Sequence, residues 1–286
     1  MKYIFLGTPE FAAVILEKLI NAGHRPEAVV CNPDELIGRK KVLTSPPVKV
    51  LAEKFNVSIF QPEKLHNNSE FLKQIKKINP DLAIVAAYGK IIPKNILDIP
   101  RYGTINIHPS LLPKYRGASP IQNTILNGDK KTGVTIMKLD EEMDHGGIIS
   151  NMEVQISKND TCESLSQKLA ISGAEILIKT IPDYISEKIK PIEQNHSKAT
   201  YTKIIKKEDG KIDWSKSANE IERMTRAFYP WPTAWTVWKG KTFKILEAEV
   251  RNGKLEIKKL QLEGGKALSI KEFLNGHKDF VGSAFG

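Results

Sequence analysis

The chain has 286 residues, 41% of them hydrophobic and 27% charged, enough for two ordinary domains or one large one with an appendage. No apolar stretch reaches the roughly 18 residues of a membrane span, and the opening MKYIFLG reads as a strand entered directly, not as a leader, so a cytoplasmic protein is expected. The formal charge of +10 is biased toward the end: residues 191–286 hold 18 Lys and Arg against 12 Asp and Glu, a balance that suits a polyanionic partner. Cys31 and Cys162 stand alone, which excludes a disulfide framework or a paired-cysteine metal site and leaves them as small buried hydrophobes.

Taken in order, KYIFLG predicts a strand. Thr8 is placed to cap the next helix, Pro9 fits its first turn, and Gly23 ends it. PEAVVCN and VSIFQP follow as strands, NSEFLKQIKKI as an amphipathic helix, and DLAIVAAYG as the continuous apolar run of a buried parallel strand. GTINIH is a strand, SPIQNTILNG a helix, and GVTIMKLD and GIISNMEVQI further strands. The long helix NDTCESLSQKLAISGAEILIKTI carries Asp160 and Glu163 at capping-box spacing. Alternation of strands and helices predicts an α/β, Rossmann-like doubly wound parallel sheet over residues 1–189. Residues 190–205 read as a polar linker. From 206 to 286 one helix, SANEIERMTRAF, precedes short glycine-broken strands, as in a small OB-like β-barrel. The aromatics Tyr229, Trp231, Trp235 and Trp238 are expected to pack in and between domains more than to stack on bases.

The stretch TINIHPSLLPKYRGASPIQ carries the first chemical signal. Side chains alternate along a strand, so Asn106 and His108 project from one face at the carboxyl end, with Ser110 just beyond Pro109. LDEEMDHGG places Asp144 in a loop after another strand. The opening turn Gly7-Thr8-Pro9-Glu10 lacks the spacing of a dinucleotide fingerprint. His108, Asp144 and His145 lack the helical spacing of a metal site, and no metal is expected.

NIHPSLLPKYRGASPIQ and GVTIMKLDEEMDHG resemble the signatures of the folate-dependent formyltransferases. The likeness extends to FLGTPEFA, NPDELIGRKKVLTSPPVKVLA, VAAYGKIIP and DGKIDWSKSANEIERMTRAFYPWPTAW, covering most of the chain. It implies transfer of a formyl group from 10-formyltetrahydrofolate to the α-amino group of methionine on initiator tRNA, by a monomer. Asn106, His108 and Asp144 become the catalytic set. Ser110, Leu111, Leu112 and Pro113 would wall the folate pocket, with Ala87, Tyr88 and Gly89 on the pterin side. Arg39 in the basic loop IGRKKVLTSP would enter the tRNA acceptor end, with Lys40 and Lys41 adding phosphate contacts and Lys206 and Lys207 serving the same end after the linker. Two rivals stand beside this reading: a formyltransferase acting on a nucleotide-linked amino sugar, and a non-catalytic RNA-binding protein. The basic loop argues against the first, and the joint presence of Asn106, His108 and Asp144 against the second.

Overall fold

The structure is a computed structural model that describes residues 1–38 and 41–280. It divides into two compact units: residues 1–116, 132–154 and 166–201 form one, and residues 117–131, 155–165 and 202–286 the other.

The first unit is built on a seven-stranded sheet. In chain order its elements are β1 (Tyr3–Gly7), α1 (Glu10–Asn21), β2 (Ala28–Val30), the hairpin β3 (Glu35–Ile37) and β4 (Val42–Thr44), α2 (Pro47–Lys54), β5 (Ser58–Phe60), α3 (Ser69–Ile78), β6 (Leu82–Ala86), α4 (Lys94–Leu97) and β7 (Thr104–His108). Beyond β8 (Arg116–Gly117) and α5 (Pro120–Leu126) come β9 (Lys131–Lys138), β10 (Ile148–Gln155), α6 (Cys162–Ile185) and β11 (Tyr201–Thr202). The strand order is β10-β9-β7-β6-β1-β2-β5, parallel from β7 to β5, while β9 runs antiparallel to β7. This is the expected Rossmann-like sheet. Strands β1, β2 and β6 are buried along their whole length, as strands covered on both faces must be. One face packs Ile4, Leu6, Val30, Phe71, Ile75 and Tyr88 into a single apolar cluster. Gly7 admits the close approach of α1, since a Cβ there would lie 2.6 Å from that of Ala12 and 2.8 Å from the Ala86 carbonyl.

Several local expectations are corrected. Pro9, not Thr8, is the cap residue of α1; the Thr8 hydroxyl instead donates to Tyr88 O at 3.3 Å and accepts from Asn32 N–H at 3.3 Å, tying the ends of β1, β2 and β6 together. Thr161 and Ser164 exchange the capping bonds at the start of α6, and Asp160 accepts from Ser157 N–H and the Ser164 hydroxyl. In the region of the basic loop, Glu35–Ile37 and Val42–Thr44 pair as a β-hairpin whose Leu36 and Leu43 are 63% and 65% exposed. At its root Asp34 bonds Ser45, Lys49 and Gln61, and these hydrogen bonds, Gln61 first, hold its carboxyl at about 2, below the usual carboxylate range. Of residues 190–205, expected as a linker, 190–201 group with the first unit: Ile192 bridges Ile148, Gln194 is buried, and Thr200 O accepts from Arg116 N–H.

The second unit contains α5, α7 (Ala218–Ala227) and the strands β12 (Ala234–Trp238), β13 (Lys241–Arg251), β14 (Lys254–Leu262) and β15 (Ala267–Ser269), closed by α8 (Ile270–Gly276). Ser217 and Glu220 form the capping box of α7. The strands pair antiparallel in chain order, so the expected barrel takes the form of a four-stranded meander. Trp238 packs edge-on against Phe243, Phe273 and Phe280, a core role, whereas Trp231 is 58% exposed.

Candidate active site

The site lies in the first unit, at the carboxyl end of β7, where open α/β sheets bind ligands. Asn106 pairs with Val85 of β6 and Met137 of β9, and His108 with Thr135, so both backbones are held in the sheet interior. The side-chain amide of Asn106 has no hydrogen-bond partner among the described residues, although the residue is half-buried. His108 is 3% exposed. Its Nε2 lies 3.0 Å from Tyr115 O, and its Nδ1 lies 3.5 Å from the Asp144 carboxylate. A carbonyl oxygen only accepts, so Nε2 carries hydrogen, and Nδ1 is the nitrogen that gains or loses a proton, beside a carboxylate. Asn106 is therefore the uncommitted donor, and Nδ1 with Asp144 forms a proton-handling pair.

Asp144 reaches His108 from a loop whose backbone is unusual. Its φ is +49°, in the left-handed region that costs a non-glycine residue of order 1 kcal/mol. At Gly146 a Cβ would collide with the Lys138 carbonyl, and Lys138 N–H donates to Gly147 O at 2.9 Å, so the loop closes back on the strand it left. His145, whose Nδ1 lies 2.7 Å from the Asp140 carboxylate, stacks on His196 with ring centroids 4.1 Å apart. Gln194 donates to the carbonyls of Asp144 and Gly146, and Arg116 bonds Gln194. Nothing in the sequence singles out Gln194 or His196, because contacts made across 50 to 80 residues leave no periodic mark.

The residues expected to wall a folate pocket fall into two groups. Ser110 to Pro113 follow β7 directly; the Ser110 hydroxyl is engaged by Lys114 O at 2.6 Å and the turn is pinned by Thr135, leaving Leu111 and Pro113 half-exposed. Ala87 and Gly89 are exposed on a turn with φ of +45° and +81°. Tyr88 between them turns its ring inward, 1% exposed, and its hydroxyl has no hydrogen-bond partner among the described residues, so only its backbone faces the turn. A separate cavity of about 400 Å³, lined by residues including Leu97, Arg101, Thr104, Lys138 and Tyr184, opens where β7 begins and is lined by none of Asn106, His108 and Asp144.

Of the expected tRNA contacts, Arg39 and Lys40 lie outside the described residues. Lys41 is exposed at the hairpin turn with φ +48°, and Lys206 and Lys207 are exposed in the second unit. Among the described residues no group of three or more His, Cys, Asp or Glu could hold a metal ion, and no helix is long and apolar enough to cross a membrane.

An amide and an imidazole–carboxylate pair at the carboxyl end of a parallel sheet match the chemistry of formyl transfer. Residues 1–181 match the family described as Formyl transferase and residues 204–254 its C-terminal domain; the chain belongs to the formyl transferase family. It is 44% identical to the methionyl-tRNA formyltransferase of Caldicellulosiruptor saccharolyticus, with 97% of each chain covered, and 41% identical to that of a Sulfurihydrogenibium species over the whole of both. Among solved structures it superposes on methionyl-tRNA formyltransferase from Clostridium thermocellum with a TM-score of 0.63 at 20% identity, covering 93% of this chain and 100% of that one. A sugar 3N-formyl transferase, WlaRD, gives 0.66 at 21%, covering 94% and 97%. The shared fold alone thus does not choose between acceptors.

Proposed function

We infer that this chain transfers the formyl group of 10-formyltetrahydrofolate to the α-amino group of methionine carried by initiator tRNA. The reaction type rests on the contact between His108 Nδ1 and Asp144 beside the unpartnered amide of Asn106. The choice of acceptor rests on the near-full-length likeness to methionyl-tRNA formyltransferases.

The folate supplies the formyl carbon. As the amine adds to that carbon, its oxygen gains negative charge, and the Asn106 amide donates to it. The amine loses a proton, for which His108 Nδ1 and the Asp144 carboxylate are the acceptors; the proton is returned to the departing nitrogen of the folate as its bond to the formyl carbon breaks. No residue forms a covalent bond. The exposed backbone of Ala87 and Gly89, the backbone of Tyr88, and the turn from Ser110 through Leu111 and Leu112 to Pro113 would hold the folate.

For the tRNA, the basic sequence Arg39, Lys40 and Lys41, of which Lys41 is described at the hairpin turn, and the exposed Lys206 and Lys207 supply cations, while Leu36 and Leu43 offer apolar surface. On this reading the enzyme acts as a monomer in the cytoplasm, with its formyl-transfer chemistry in the first unit, which runs to residue 201, and its tRNA-binding lysines in the second. Because phosphate contacts displace counterions, the KM for tRNA should rise by about tenfold or more between 50 and 200 mM salt. Replacing Lys206 and Lys207 with alanine should reduce the slope of log KM against log salt by about one for each phosphate that a lysine neutralises. An unchanged slope removes those two lysines from the interface.

The deciding experiment incubates the purified protein with labelled 10-formyltetrahydrofolate, charged initiator tRNA and an amino-sugar nucleotide as competing acceptor. Label is expected in the methionyl-tRNA. Label in the sugar nucleotide alone would replace the acceptor while keeping the chemistry, and label in neither would end the enzyme reading.

A further inference from the structure

Arg116 is the largest fully buried side chain of the described residues, with 1% of its surface exposed, and it lies outside the reacting groups. Its Nε and Nη2 donate to Gln194 Oε1 at 3.2 and 2.7 Å, Nη2 also donates to His196 Nδ1 at 2.9 Å, and Nη1 donates to the Tyr201 hydroxyl at 3.3 Å. A guanidinium has only donors, so the amide edge that meets it must be the oxygen. The other edge of Gln194 then presents Nε2, whose two hydrogens go to Asp144 O at 2.9 Å and Gly146 O at 2.7 Å. Gln194 is itself 4% exposed. The amide thus has one orientation, set by a buried cation, and both of its donors act on the turn that carries Asp144.

We propose that Gln194, oriented by Arg116, is a positioning residue that fixes the left-handed backbone at Asp144 and so keeps its carboxylate against His108 Nδ1. This rests on the catalytic role inferred for Asp144. Two carbonyls held by one amide define the tilt of the turn, and a tilt moves the carboxylate relative to the imidazole. Displacement of a catalytic group by about 1 Å is enough to cost about 10² in rate.

The test is Gln194→Glu, which keeps an acceptor for Arg116 and places a second oxygen where the two carbonyls need a donor. Measured alone, the Glu variant should lower kcat by about 10- to 100-fold and leave folate affinity within about twofold. In the Asp144→Asn background it should add less than about a further twofold, because residues that act through one another are not additive. A merely structural role predicts losses that multiply in the double variant, and that result overturns the proposal, as does a normal kcat for Gln194→Glu beside an impaired Asp144→Asn. Normal turnover in Asp144→Asn would remove the catalytic reading and this proposal together, which separates the two failures. Should the Glu variant prove unfolded by circular dichroism, Gln194→Met, which removes the donors without adding a charge, carries the same expectations and the same refutations.

Discussion

Replacing Asp144 with asparagine is expected to lower kcat by about 10³-fold while folate binding changes by no more than roughly twofold, within the range of a lost acid–base partner. The substitution keeps shape and removes charge. The carboxylate lies 3.5 Å from His108 Nδ1, and with Nε2 directed at Tyr115 O that nitrogen is where the ring takes a proton. With an amide in place of the carboxylate, a proton at Nδ1 has no counter-charge, and the amine must lose its proton without that pair. Single-turnover formylation with saturating tRNA isolates the chemical step, and folate titration monitored by fluorescence reports the pocket. A kcat within a factor of about three of the unaltered protein would take Asp144 out of the reaction, since an acid–base partner is worth at least about 10².

Substitutions at Asn106 test the other half of the site through an order rather than a single value. Asn106→Ala is expected to cost about 10²–10³ in kcat, the effect of losing one donor to a developing oxyanion. Asn106→Asp should be slower still, because a carboxylate would face the oxygen that is gaining negative charge. The native amide has no hydrogen-bond partner among the described residues, so the alanine variant leaves no protein group orphaned and its stability should change little. An aspartate variant faster than the alanine variant would mean that donation is not what this position supplies.

Much of the first unit is visible in its residue pattern. The apolar runs of β1 and β6, the helical spacing of α3 with Asn68 as its cap, and the alternation that puts Asn106 and His108 on one face of β7 all follow from local periodicity, which survives in the fold. The capping box of α7 is equally local. Where competing local solutions exist, the pattern misleads. Asp160 and Glu163 have the spacing of a cap, yet Thr161 and Ser164 one residue further on make it. The sequence pattern ends α6 before Pro182, but the helix continues to Ile185, and Tyr184 in its last turn donates to Tyr102 O at 2.8 Å. The hairpin of β3 and β4 exposes Leu36, Val42 and Leu43 and so lacks the alternation that marks a strand against a core. Long-range polar contacts are the least legible. Residues 190–201 look like a linker because they are polar, but Gln194 is polar in order to bond a buried arginine and two loop carbonyls.

The direction of β9 has a consequence for how the chain can vary. Running opposite to β7, it ends level with Ile105, about 10 Å along the sheet from His108 at three residues of strand rise. Residues 139–147 therefore form an arch that must double back over that distance before Asp144 stands at its crown. The two feet are locked to each other, by the bond from Lys138 N–H to Gly147 O and by the close approach of Gly146, where a Cβ would collide with the Lys138 carbonyl. Surface loops ordinarily tolerate an added residue at small entropic cost. Here the span is a gauge length: one residue more or fewer between the feet shifts the crown off the imidazole.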